Sequence, residues 1–131
     1  MATETPTPGG PSTNLGLEPK IAGLLCYVPC CIGLVFSVVA AIVEKQSRFL
    51  RFHAFQSLLL HGAFIVFWIA IWGVGAVLAL SGLGLVAFLI HLVSWVVGLA
   101  LIALAIFMMI KANAGEEFEL PVVGPMAKGW V

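Results

Sequence analysis

The chain is short of charge. Only 9% of its 131 residues are Asp, Glu, Lys or Arg, against about a quarter in an ordinary soluble domain. Two stretches have none at all: Ile21–Val43, with 23 residues, and Phe52–Ile110, with 59. A soluble protein of this size has too little interior to hide so much apolar surface, so lipid is the implied solvent. Cysteine is also scarce. The three thiols, Cys26, Cys30 and Cys31, share the first apolar run and offer no disulfide framework; they read as small packing residues. There is no phosphate-binding glycine loop, no His-Glu-x-x-His helix and no nucleophile–base pair. These absences point away from an enzyme, and nothing in the residues asks for a cofactor or a metal.

What remains is 62% hydrophobic, with a mean hydropathy of +1.15. Residues 1–16 are rich in Thr, Pro and Gly without apolar periodicity, the composition of a disordered tail. Residues 17–128 read as one membrane domain. The first twenty residues include Glu4, Glu18 and Lys20 and lack the basic start of a secretory signal, so the first apolar run is expected to be a retained anchor.

The lengths predict an all-α integral membrane protein with three transmembrane helices. Ile21–Val43 covers roughly 35 Å as a helix, against a hydrocarbon core of about 30 Å, despite Pro29 inside it. Phe52–Ile110 would reach roughly 90 Å as one helix, which is too long for one crossing and too short for three with turns. A reversal at Ser81-Gly82-Leu83-Gly84 divides it. The expected spans are about 21–43, 54–80 and 85–110, the last two forming a hairpin and followed by a cytoplasmic C-terminal tail. With three spans, the N-terminal tail and the Ser81 turn share a side that carries only Lys20. Lys45, Arg48, Arg51, Lys111 and Lys128 lie on the other. The positive-inside rule then places the N-terminus outside and the C-terminus in the cytoplasm.

Charge interrupts the apolar sequence once, at Glu44–Arg51. There Arg48, Arg51 and His53 alternate with Phe49, Phe52 and Phe55, a mixture suited to lipid headgroups or a partner at the membrane surface. Nucleic acid is not expected as a partner. His53, Ser57 and His61 follow at i, i+4 and i+8, on one helical face, with Gln56 beside them. Polar groups at this depth usually face protein or water. The candidate interaction or headgroup face is therefore Arg48, Arg51, His53, Gln56, Ser57 and His61. His91 and Ser94 form a second polar pair. His61 and His91 should differ in depth by about 10–15 Å, which speaks against a shared metal and for hydrogen bonding between helices. Gly33, Ser37 and Ala41 form a stripe that permits close helix approach. Glu116, Glu117 and Glu119 in the C-terminal tail are candidates to pair with Arg48 and Arg51.

Several segments also resemble a known family. They are Leu25-Cys26-Tyr27-Val28-Pro29, Val43-Glu44-Lys45 with Ser47-Arg48-Phe49, Arg51-Phe52-His53-Ala54-Phe55-Gln56-Ser57, and Gly115-Glu116 with Leu120-Pro121 and Gly124. Together they resemble small prokaryotic membrane proteins of unknown function, grouped with the twenty-kilodalton subunit of the chloroplast inner-envelope protein-import translocon. The resemblance implies a multi-pass protein of a prokaryotic cytoplasmic membrane and, by remote kinship, a role in protein translocation.

The function expected is that of an accessory or structural subunit in the lipid bilayer, acting through contacts with its own copies or a larger membrane complex. The alternative is an oligomeric channel or transporter that uses the polar face of the second helix.

Overall fold

The first apolar run does not form one helix. In the computed structural model, which describes residues 13–29 and 31–131, α1 (Pro19–Cys26) stops before Pro29 and α2 (Cys31–Val43) starts after it. Proline has no N–H to continue the ladder and crowds the preceding turn. The amides before it tighten: Tyr27 N–H donates to Leu24 O at 3.0 Å and Val28 N–H to Leu25 O at 3.3 Å, each one residue short of α-helical pairing.

The chain then reverses. Ser37 Oγ in α2 lies 3.1 Å from Cys26 O, whereas a continuous helix would separate these residues by about 16 Å. The other ends of the two helices also meet. Asn14 N–H donates to Glu44 Oε2 at 2.8 Å, and Asn14 Oδ1 accepts from Lys45 N–H at 2.9 Å. α1 and α2 are therefore the arms of a helical hairpin with its tip around Pro29. The expected span at 21–43 is corrected accordingly. The arms rise only about 12 Å and about 20 Å, each short of a hydrocarbon core. A third transmembrane helix is not supported.

Two helices among the described residues are long and apolar enough to cross a membrane. α3 (Arg48–Leu80) starts where Ser47 Oγ accepts from Leu50 N–H at 3.2 Å, an N-cap that satisfies one of the orphan donors of the first turn. Arg48 and Arg51 thus belong to the helix rather than to a loop. The loop proper, Glu44–Ser47, is organised by the buried Glu44 carboxylate, whose Oε1 accepts from Gln46 N–H at 2.8 Å and Ser47 N–H at 2.9 Å. α3 ends at a turn over Ser81–Leu83, where Gly82 takes φ 81°, and α4 (Gly84–Asn113) returns beside it. The expected spans 54–80 and 85–110 fall inside these two helices. A short α5 (Val123–Trp130) folds back against α3. The expected N-terminal tail falls largely outside the described residues, as does Cys30.

One end of the molecule therefore gathers Asn14, the Glu44–Ser47 loop, the end of α4 and the C-terminal tail. Lys20 packs beside Gly115 at this end. From Thr13 onward, the expected placement of the N-terminal segment with the Ser81 turn is overturned. All six Lys and Arg residues sit at the end opposite that turn.

Packing changes along the long helix pair. Leu50, Phe52, His53, Ala54, Gln56 and Ser57 are all buried, while beyond them in α3 only Gly75 is. α2 turns Gly33, Ser37 and Ala40 inward and leaves Ile32, Val35, Val38, Val39 and Ile42 exposed. Near the turn, α3 and α4 touch through aromatic contacts: Trp68 meets Trp95 edge-on at 5.4 Å between centroids, and Trp72 meets His91 at 5.2 Å. The His91 ring occupies the space that a side chain on Gly75 would need. Gly75→Val should lower stability in detergent by about 1–3 kcal/mol through overpacking. Gly73→Val, where nothing lies within 4 Å of an added Cβ, should leave the thermal midpoint unchanged.

Candidate functional site: a buried polar network

The stripe His53, Ser57 and His61 does lie along one face of α3, because residues four apart stack in a helix. At its basic end that face points into the protein. His53, Gln56 and Ser57 are completely buried, and the first two bond to both the α1–α2 hairpin and the C-terminal tail.

His53 Nε2 lies 3.1 Å from the Glu116 carbonyl, which can only accept, so Nε2 carries the proton. Its Nδ1 then accepts from the Tyr27 hydroxyl at 3.0 Å. Tyr27 in turn accepts from Gln56 Nε2 at 2.9 Å. The Gln56 amide makes two further bonds, donating to Phe118 O at 3.0 Å and accepting from Leu120 N–H at 3.1 Å. Phe49, Phe52 and Tyr27 enclose the His53 imidazole edge-on, with centroids at 4.5, 5.2 and 5.6 Å.

Ser57 serves the hairpin tip. Its hydroxyl donates to Cys26 O and lies 3.0 Å from Ser37 Oγ, which is 2.7 Å from Gly33 O. The carbonyl at the broken end of α1 is thereby satisfied without water. His61, half-buried, directs Nδ1–H back to Ser57 O at 2.9 Å. His91 repeats that pattern on Ala87 O at 2.9 Å. The expected interhelical role thus applies to His53, whereas His61 and His91 bond within their own helices. His61 borders a pocket of about 60 Å³ with Pro29, Phe64 and Leu101, far along α4 from His91. Among the described residues no group of three His, Cys, Asp or Glu side chains is placed to hold a metal ion.

The two arginines stand apart from this network. Arg48 is exposed. The Arg51 guanidinium lies 5.8 Å from the Phe55 ring centroid and reaches Trp130 O at 3.5 Å. Neither pairs with a tail glutamate among the described residues. Instead Glu116 pairs with Lys111 at 2.8 Å, and Glu119 with Lys128. Two of the three tail acids thus meet lysines at the end of α4 and in α5, which corrects the expected pairing with Arg48 and Arg51.

Sequence reasoning missed Tyr27, Ser37, Glu44 and the tail carbonyls. Tyr27 offered a signal as the only tyrosine of the chain, because a hydroxyl in an apolar run needs a partner. The tail carbonyls offered none, since every residue has one. Gln56→Leu should preserve side-chain volume while removing the partners of Phe118 O and the buried Leu120 N–H. Tyr27 Oη keeps its bond to His53, and the cost should be about 1–3 kcal/mol for the buried amide left unpaired. Hydrogen exchange should accelerate at the Leu120 amide and leave the α4 amides near the Ser81 turn unchanged.

Comparisons with known proteins identify the family. Residues 18–127 match the model of the magnetosome magnetite crystal formation protein family. Two UPF0132 membrane proteins of Methanocaldococcus jannaschii are similar. One is 37% identical over 116 residues, covering 88% of this chain and 91% of the relative. The other is 34% identical over 119 residues, covering 87% and 71%. A UPF0132 membrane protein of Archaeoglobus fulgidus is 32% identical over 114 residues, covering 86% and 94%. No solved structure matches. The chain belongs to this family of small prokaryotic membrane proteins, and similarity to the chloroplast translocon subunit is not among the findings.

Proposed function

We propose that this member of the magnetosome magnetite crystal formation protein family is a non-catalytic membrane scaffold. It has two full spans and a helical hairpin that enters the bilayer and returns on the same side. The N-terminal segment from Thr13, the Glu44–Ser47 loop and the C-terminal tail face the cytoplasm. The charge distribution supports that orientation: six Lys or Arg residues lie at this end and none at the Ser81 turn.

The observation that carries the reading is the closure of the polar network. His53 and Gln56 spend their bonding capacity on Tyr27 and three tail backbone groups. They hold the hairpin and the tail to α3 and leave no polar lining for a path. The pocket beside His61, about 60 Å³, has room for about two waters. These features favour a scaffold over a channel or transporter on this face. Its contacts with a second copy or a larger complex would use the exposed cations Lys45 and Arg48 at the membrane surface. A part in protein translocation rests only on the remote kinship that the family resemblance implies. The scaffold reading does not depend on the magnetite crystal formation that the family's description names.

Glu18→Cys, Lys45→Cys and Ser81→Cys, each made with the native cysteines replaced, test the topology with a membrane-impermeant thiol reagent. The first two should react from the cytoplasmic face and the third from the opposite face. Reaction of Glu18→Cys from the outside would return the chain to a three-span arrangement. Reconstituted vesicles should show no ion or solute flux above protein-free controls. Flux abolished by His61→Ala would establish the channel reading instead.

A further inference from the structure

We infer that the protein is a membrane wedge: it favours strongly curved bilayer, with its basic end on the convex side. The inference rests on the same-side topology proposed above and extends it to the shape of the lipid surface the protein fits.

The physical basis is a change of cross-section with depth. At the basic end, α1, α2, α3 and α4 pack together, burying six of the eight α3 positions from Leu50 to Ser57. The side of α2 turned away from the bundle is apolar along its length, from Ile32 to Val43. The hairpin therefore displaces hydrocarbon instead of lying in water. It ends at the level of His61 and Phe64, where Pro29 borders the same pocket as those side chains. Beyond that level α3 continues to Leu80 for about 25 Å, accompanied only by α4.

Two extra helices of about 10–12 Å diameter add roughly 200 Å² to the half of the bilayer at the basic end and nothing to the other half. α5 widens the same end at headgroup level, with Met126 and Trp130 exposed. A body wider in one leaflet fits best where that leaflet is expanded, as on the outside of a small vesicle or tubule. Transmitting that shape to lipid requires the wide end to be stiff. Glu44 fastens the open end of the hairpin to Asn14, Ser37 and Ser57 fasten its tip to the Cys26 carbonyl, and Gly33 lets α2 lie directly on the Val28 and Cys26 carbonyls.

The test reconstitutes the full chain, at low density, into phosphatidylcholine–phosphatidylglycerol vesicles sorted into small and large fractions. Protein per unit membrane area is read by fluorescence. The expected result is enrichment on the small vesicles, on the order of threefold, because apolar insertion confined to one leaflet responds to curvature. In those vesicles Lys45→Cys should be labelled from outside. Equal density on both fractions, or enrichment with the basic end facing the lumen, overturns the wedge. Reaction of Glu18→Cys and Lys45→Cys from opposite faces overturns the topology beneath it, so the two failures are told apart. Gly33→Val places a side chain against the hairpin-tip carbonyls and should flatten the preference. Insertion of that variant with the preference unchanged would show that the hairpin is not its source, while the wild-type comparison decides the matter by itself if the variant does not insert.

Discussion

The arrangement depends on satisfying a broken backbone inside an apolar stretch of chain. Pro29 ends α1 within an apolar segment, leaving the Cys26 carbonyl without a helical partner. In hydrocarbon, an irregular backbone survives only where protein covers it. Ser57 and Ser37 supply hydroxyls to Cys26 O, and the last two amides turn back to Leu24 and Leu25. Because Ser57 belongs to α3, the hairpin can only close against that helix, at that height. The depth of the hairpin, the burial of Leu50 to Ser57 and the return of the chain to the basic end all follow from this.

The same logic links the hairpin to the tail. Tyr27, next to the break, carries a hydroxyl into the apolar interior. His53 and Gln56 receive it, and their remaining donors and acceptors reach Glu116 O, Phe118 O and Leu120 N–H. One network thus joins three stretches far apart in sequence. A half-satisfied network of this kind would be worse than an apolar core, which explains why tail and hairpin engage the same side chains. The polar groups that looked like a face offered to a partner are the fasteners of the fold. What stays exposed is the cations beside the network and the apolar sides of the helices.

The fold also separates two kinds of charged residue. Glu44 is buried and bonded to the amides of Asn14, Gln46 and Ser47, so it acts as a structural clamp. Glu116 and Glu119 meet lysines of the end of α4 and of α5, pairs exposed enough to contribute little to stability. Among the described residues this leaves four cations without an ion pair, Lys20, Lys45, Arg48 and Arg51, at the level where headgroups would lie.

Membrane residence, the α3–α4 hairpin and its reversal at Ser81 were legible in the sequence. Length and hydropathy set them, and a charge-free run of 59 residues has few ways to cross about 30 Å of hydrocarbon. The i, i+4, i+8 stripe was legible too, since helical periodicity is local. The reversal of the first apolar run and the end of the molecule at which the segment from Thr13 lies were decided by tertiary structure. Ile21–Val43 is long enough to cross, and a proline in such a run reads equally as a kink or as a reversal. Only the contact of Cys26 O with hydroxyls eleven and thirty-one residues away, together with Asn14 against Glu44, selects the reversal. Hydropathy measures how much apolar chain is present. It carries no record of which distant hydroxyl will satisfy a carbonyl freed at the end of a broken helix, and that pairing fixed the reversal.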